Sequence, residues 1–140
     1  MAGCRLIVAG EGLDVEACLD ATGLDAEQVF QREPRVALDD SGEALAWTGF
    51  VVVVSRRADD DFAGRLSDAM AFLDECHLEL SALAARPDVD ELRLELVLPA
   101  EDRWSEGPAA VLLPPELLRL AGGAGVTLAL RPRPPERERA

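Results

Sequence analysis

The chain has 140 residues, in which 27 acidic side chains outnumber 14 arginines and give a net charge of −13. Residues 1–130 carry a net charge of −15, and the last ten residues, RPRPPERERA, carry +2. A body of this sign repels phosphate backbones and anionic lipid and attracts basic proteins, so we expect no nucleic-acid and no membrane partner. No apolar run approaches the roughly 20 residues that span a bilayer and no signal peptide is evident, which predicts a cytoplasmic protein.

The first elements in chain order are a strand and a helix. Residues 4–9 (CRLIVA) predict a short buried strand that ends at the turn Gly10-Glu11-Gly12. Asp14 is a suitable N-cap for the helix that follows, and Gly23 is a suitable stop.

A hairpin is predicted next. Residues 24–33 give weak signals and are interpreted as a loop, whereas 34–38 and 45–55 predict two strands. The segment 39–43 (DDSGE) between them has the composition of a turn. The run FVVVV at 50–54 lacks polar alternation, which favours a central strand that is covered on both faces.

The longest predicted helix begins at the acidic triplet 59–61 and ends at about Ala85. Acidic residues at that end complement the positive pole of the helix dipole. Apolar residues fall on one stripe at helical spacing and predict its buried side: Phe62, Leu66, Ala69, Leu73, Cys76, Leu80 and Ala84.

The last third predicts a strand, a helix and a strand. Leucines at 92, 94, 96 and 98 alternate with Arg93, Glu95 and Val97, which is typical of a half-buried antiparallel strand. After a polar loop at 100–108, a helix is predicted over 115–120 and a final strand over 126–130.

This order predicts the α+β class, with a single mostly antiparallel sheet and helices packed on one face. Its first six elements follow the β-α-β-β-α-β order of a ferredoxin-like sandwich, and an extra α-β unit extends it. We expect one domain over residues 1–130 and a disordered tail, rich in Pro and Arg, over 131–140.

No catalytic or cofactor motif stands out. The turn at 10–12 lacks the third glycine of a dinucleotide fingerprint, because Val15 stands there, and Glu11 would repel phosphate. His77 is the single histidine, and it has no nucleophile placed for it to activate, so a structural or half-exposed role is favoured. The three cysteines have no zinc-binding spacing and are interpreted as reduced thiols. We therefore expect no enzyme, no metal and no cofactor.

Trp104 is the strongest candidate for a binding residue. It lies in the polar loop beside Arg103 and Glu106, and an exposed tryptophan with charged neighbours is typical of an interface anchor. The alternative, in which Trp104 folds back onto the sheet edge, stays open. Trp47 is predicted to belong to the core.

Three segments resemble a bacterial family called domain of unknown function 4279. They are CRLIVAGEGLDVEACLDATGLDAE, DDDFAGRLSDAMAFLDECHLELSALAARPDV and GPAAVLLPPELLRLAGGAGVTLAL. The resemblance covers about residues 4–130 and implies a small α+β bacterial protein without an assigned activity or catalytic residue.

The leading functional hypothesis is a non-enzymatic module that binds a basic protein, as an immunity protein or a secretion chaperone does. A regulatory module that binds a small molecule on the open sheet face is the alternative. The residues that face outward on the sheet should discriminate between them, because an apolar pocket favours a ligand and a flat acidic face favours a protein.

Overall fold

A computed structural model describes residues 2–32, 47–58, 60–99 and 111–133. These residues form five strands and four helices in the order β1 (Cys4–Glu11), α1 (Val15–Thr22), β2 (Gln28–Arg32), β3 (Trp47–Ser55), α2 (Phe62–Glu75), α3 (His77–Ala84), β4 (Glu91–Val97), α4 (Pro115–Gly123) and β5 (Thr127–Arg131). None of these helices is long and apolar enough to cross a membrane.

The strands form one sheet in the order β2-β3-β1-β4-β5. Strand β1 pairs antiparallel with both β3 and β4, and β3 also pairs antiparallel with β2. Only the pairing of β4 with β5, among those described, is parallel. The described residues therefore form one open, mixed, five-stranded sheet with four helices, and the predicted α+β class is confirmed.

The core lies between the helices and one face of this sheet. Alternate residues of the three central strands belong to a single buried cluster with residues of all four helices. Because side chains alternate between faces along a strand, these positions define the helix face. Its strand members are Cys4, Leu6, Val8, Phe50, Val52, Leu92, Leu94 and Leu96. We call the opposite side, turned away from the described helices, the far face.

The helix termini follow the predicted capping. Asp14 accepts a hydrogen bond from the Ala17 N–H at 3.1 Å and begins α1, and Gly23 ends it with a φ of 69°. Asp61 caps α2 in the same way by accepting from the Gly64 N–H at 2.9 Å. These contacts are local in sequence, which is why the chain alone predicted them.

The predicted single helix up to Ala85 is two helices with Cys76 between them. Cys76 has φ −102° and ψ 19°, outside the helical region, although its N–H still donates to the Phe72 carbonyl. Leu66, Leu73 and Leu80 are buried as the stripe predicted. Two other members, Phe62 and Cys76, are half-buried, and Ala84 is exposed.

Strand β2 lies within residues 24–33, for which the sequence predicts a loop, so that prediction is wrong. It is an edge strand with the sequence QVFQR, in which Gln28 pairs with Val51 and Phe30 with Gly49. The pairing with β3, rather than a local apolar run, makes this segment a strand. The predicted strand at 34–38 and its turn lie outside the described residues.

Strand β1 extends two residues further than predicted, through Gly10 and Glu11, because both pair with β3. The positive φ follows at Gly12. Trp47, predicted as core, is half-buried opposite Glu11 and does not belong to the buried cluster. Strand β5 ends at Arg131, which is one residue inside the predicted tail.

Arg65 carries a buried charge that the apolar stripe of the predicted helix does not indicate. Its side chain is 1% exposed and donates from Nη1 to the Val97 carbonyl at 2.7 Å and from Nη2 to the Arg57 carbonyl at 3.3 Å. Gly3 makes room for it, because a Cβ there would overlap the guanidinium group. Arg65 thereby joins the end of β4 to the connection between β3 and α2.

Candidate protein-binding surface

The predicted anchor Trp104 and its neighbours Arg103 and Glu106 lie outside the described residues. The candidate site is therefore built from the surfaces that are described. Two of them carry carboxylates in contrasting surroundings: the solvent side of the helices and the far face of the sheet. They differ in how their carboxylates are paired.

The helices carry acidic side chains without basic neighbours in sequence. No Arg or Lys occurs between residues 6 and 31 or between residues 66 and 85. Within these stretches four acidic residues of α1 and α2 are exposed and one of α3 is half-exposed: Glu16, Asp20, Asp74, Glu75 and Glu79. This side of the molecule accounts for much of the charge excess.

An exposed leucine lies within this acidic surface. Leu78 is 78% exposed, whereas Leu80 and Leu83 of the same helix are buried. Asp74 and Glu75 precede Leu78 by four and three residues, the spacing that places side chains on one side of a helix. The break at Cys76 lies between these carboxylates and Leu78, and the Cys76 N–H donates to the Phe72 carbonyl while the Cys76 carbonyl accepts from the Leu80 N–H.

Small residues flank these three side chains. Ala71 lies one turn before Glu75, Ala82 lies one turn after Leu78, and both are exposed. We call Ala71, Asp74, Glu75, Leu78 and Ala82 the α2–α3 face. It combines an apolar centre, two carboxylates and two positions at which a partner can approach closely.

On the far face, the carboxylates are paired with arginines. Glu95 is 4% exposed and lies at the centre of an arginine cluster that we define as Arg5, Arg93 and Arg131. Arg5 donates to Oε1 at 2.7 Å, Arg93 to Oε2 at 3.1 Å, and Arg131 to Oε1 at 3.4 Å. Arg93 also pairs with Glu91.

Burial alone would raise the pKa of Glu95. The hydrogen bonds from Arg5 and Arg93 outweigh burial and hold its pKa below the ordinary value. Glu95 therefore stays ionised at neutral pH, and its charge is compensated within the sheet rather than presented to a partner.

A third charged group connects β3 with α2. Asp68 accepts from the Ser55 hydroxyl at 2.8 Å and from Arg57 Nε at 3.1 Å. These hydrogen bonds lower the pKa of Asp68, with the Arg57 bond as the largest cause. The arrangement fixes the entry into α2, so we interpret it as structural.

The two buried cysteine thiols are protonated at neutral pH. Cys4 and Cys18 are buried, and burial raises the pKa of Cys4 to about 12 and also raises that of Cys18. His77 is exposed at the first position of α3. Among the described residues, no three His, Cys, Asp or Glu side chains converge as a metal site requires.

Part of the arrangement of these two surfaces could be predicted from the sequence. The alternation of β4 placed Arg93 and Glu95 on the same face, but the contacts with Arg5 and Arg131 depend on strand register. The position of Leu78 opposite the apolar stripe predicts that it is exposed, although Leu78 was not among the candidate binding residues.

No protein-family model matches the chain, and neither a curated protein nor a solved structure shows significant similarity to it. The resemblance to domain of unknown function 4279 therefore stays a prediction.

Proposed function

We propose that this protein is a non-enzymatic binding module whose α2–α3 face engages a basic segment of another protein. The observation that carries this proposal is the exposure of Leu78, which is 78% exposed and lies three and four residues after Glu75 and Asp74 in a stretch without arginine or lysine. An apolar centre with a charged rim is the usual arrangement of a protein interface.

The two kinds of side chain have separate roles in this proposal. Uncompensated carboxylates raise the local concentration of a basic partner and accelerate association. Leu78 contributes apolar contact after docking and so slows dissociation. An arginine or lysine of the partner pairs with Asp74 or Glu75 while an apolar side chain covers Leu78.

The contrast with the far face supports this assignment. There, Glu91 and Glu95 are paired with arginines of the sheet, so they contribute little field to an approaching protein. The exposed carboxylates Asp74 and Glu75 of α2, by contrast, have no arginine or lysine near them in the sequence. A role like that of an immunity protein or a secretion chaperone fits this distribution of charge, because a basic client protein is attracted to the helical side.

Two finer assignments accompany the proposal. The first four strands form a ferredoxin-like unit, which is supported by the antiparallel pairing of β3 with both β1 and β2. The protein acts in the cytoplasm, which is supported by its free cysteines Cys4, Cys18 and Cys76.

The test compares two variants with matched chemistry on different helices. The first carries Asp74→Asn, Glu75→Gln and Leu78→Ala. The control carries Asp20→Asn on α1 with Glu116→Gln and Leu118→Ala on α4; all three residues are exposed, and both variants lose two carboxylates and one leucine. A native lysate is passed at low salt over each immobilised variant and over the wild type. Basic proteins retained by wild type and control but lost by the first variant are purified for kinetics.

With such a partner, we expect the association rate to fall as the salt concentration is raised, because the Debye length decreases from about 10 Å at 0.1 M. Leu78→Ala alone should mainly raise the dissociation rate. Equal retention by both variants would contradict the surface, and a salt-independent association rate would contradict the electrostatic role of its carboxylates.

A further inference from the structure

The far face has one place where arginines outnumber the carboxylates they contact. Arg5, Arg93 and Arg131 come from three adjacent strands, and their described partners there are Glu91 and Glu95. Within the part of the chain that the structure describes, three guanidinium groups against two carboxylates leave one positive charge in excess. This local excess is opposite in sign to the protein as a whole.

Two of these arginines are arranged to share an acceptor. Arg5 Nη2 and Arg131 Nη1 donate to the same oxygen, Glu95 Oε1, at 2.7 and 3.4 Å. Each guanidinium group has five N–H donors, and a carboxylate can accept from two forks at once. The carboxylate of a ligand on the solvent side of Glu95 can therefore accept hydrogen bonds from the remaining N–H groups of Arg5 and Arg131.

The two groups are also accessible. The side chain of Arg131 is 55% exposed and that of Arg5 is 32% exposed, whereas that of Glu95 is 6% exposed. Among the described residues, Arg131 reaches only Glu95, through one long contact. Its guanidinium group can turn toward a ligand without breaking a strong bond.

Apolar side chains lie next to this charge. Val53 pairs across the sheet with Arg5, and Ala129 pairs with Glu95 in the parallel ladder. Both are half-buried. A ligand held by its carboxylate at Arg5 and Arg131 would therefore lay an apolar body along Val53 or Ala129.

The acidic helices do not cancel this site. Their solvent side lies at least a helix diameter, about 10 Å, beyond the sheet. The Debye length at 0.15 M salt is about 8 Å, so the nearby arginines dominate the local field. A dianion would leave the site with a net negative charge, whereas a monoanion neutralises it.

We infer that Arg5 and Arg131 form a binding site on the far face for a small organic monocarboxylate with an apolar body. This inference is independent of the α2–α3 face, which lies on the other side of the sheet and attracts the opposite charge.

The test uses hexanoate as the probe and backbone amide NMR of the full chain as the readout. We expect saturable shifts confined to residues near the site on β1, β4 and β5. Arg131→Gln should weaken binding by about tenfold, the loss of a charge-assisted hydrogen bond. Arg119→Gln, which removes an exposed arginine of α4, should leave it unchanged.

Two further ligands test the chemistry. Hexanamide has the same chain without the charge and should bind at least about tenfold more weakly. Inorganic phosphate should also bind more weakly than hexanoate. The inference is overturned if hexanoate gives no saturable shifts, if hexanamide or phosphate binds as tightly, or if Arg131→Gln and Arg119→Gln behave alike. None of these results bears on binding of a basic protein.

Discussion

The helical layer and the far face of the sheet hold the same kind of side chain under opposite conditions. On the helices, Asp74 and Glu75 are exposed within a stretch that has no arginine or lysine. On the far face, Glu95 is almost fully buried and is held by three arginines. The difference shows that net charge alone does not identify the carboxylates that are available to a partner.

The paired carboxylate of Glu95 and the exposed carboxylates of Asp74 and Glu75 should differ most in their effect on the free energy of unfolding. A paired, buried carboxylate is part of the folded structure, because its removal leaves arginines without their partner. An exposed carboxylate keeps its hydration in both the folded and the unfolded state. Its charge is therefore free to act on other molecules.

The largest expected effect is that of Glu95→Ala. Breaking a buried ion pair costs about 3–5 kcal/mol, and the partly exposed arginines recover some hydration, so we expect a loss of about 2–4 kcal/mol. Urea denaturation of the variant and the wild type at pH 7 measures this difference. A loss below about 0.5 kcal/mol, the range of ordinary surface substitutions, would place Glu95 with the helical carboxylates.

A smaller effect is expected in the pH dependence of that difference. The pKa of Glu95 is lower in the folded than in the unfolded state, so its contribution is complete above the unfolded pKa. It is lost as the pH falls through the folded pKa. The stability gap between wild type and Glu95→Gln should therefore shrink from pH 6 toward pH 3.

Comparing two proteins that differ only at residue 95 removes the contributions of the other carboxylates, including Asp68 and Asp88, whose pKa values are also lowered. Denaturation midpoints in urea at each pH supply the measurement. A gap that stays constant over this range would show that ionisation of Glu95 is not what the arginines stabilise.

The smallest expected effect is that of Asp74→Asn combined with Glu75→Gln. We expect the free energy of unfolding to change by no more than about 0.5 kcal/mol, with any gain confined to low salt, where like-charge repulsion is least screened. Unfolding at 20 mM and 0.5 M salt checks this, with Glu95→Gln as the contrasting variant. A clear destabilisation would mean that these two carboxylates support the fold.

Sequence analysis was accurate where the signal was local. Asp14, Gly23 and Asp61 act at the helix ends through contacts within a few residues, and the leucines of β4 at 92, 94 and 96 are buried in the core. The other side of β4 is not half-exposed as predicted, because Glu95 and Val97 are buried as well. Sequence analysis was wrong where pairing partners decided the outcome. Strand β2 owes its conformation to β3, and the break at Cys76 has no glycine or proline to announce it.

The same division applies to the candidate sites. The acidic stretch at 66–85 and the position of Leu78 opposite the apolar stripe are contained in the helical period. The burial of Arg65 depends instead on Gly3, and the arginine cluster depends on the register that aligns Arg5 with Glu95 and Val97 with Arg131. Residues 90 or 36 positions from Glu95 in the chain cannot be matched to it by spacing.

By itself, then, the sequence determined the α+β class, the helix ends, the apolar face of the central strands and the sign of the charge. These properties follow from composition and from periods of two or about 3.6 residues, which each segment carries alone. Only the tertiary structure decided which carboxylates are neutralised. Ion pairing requires side chains to meet within a few ångströms, and strand order and register bring distant residues that close.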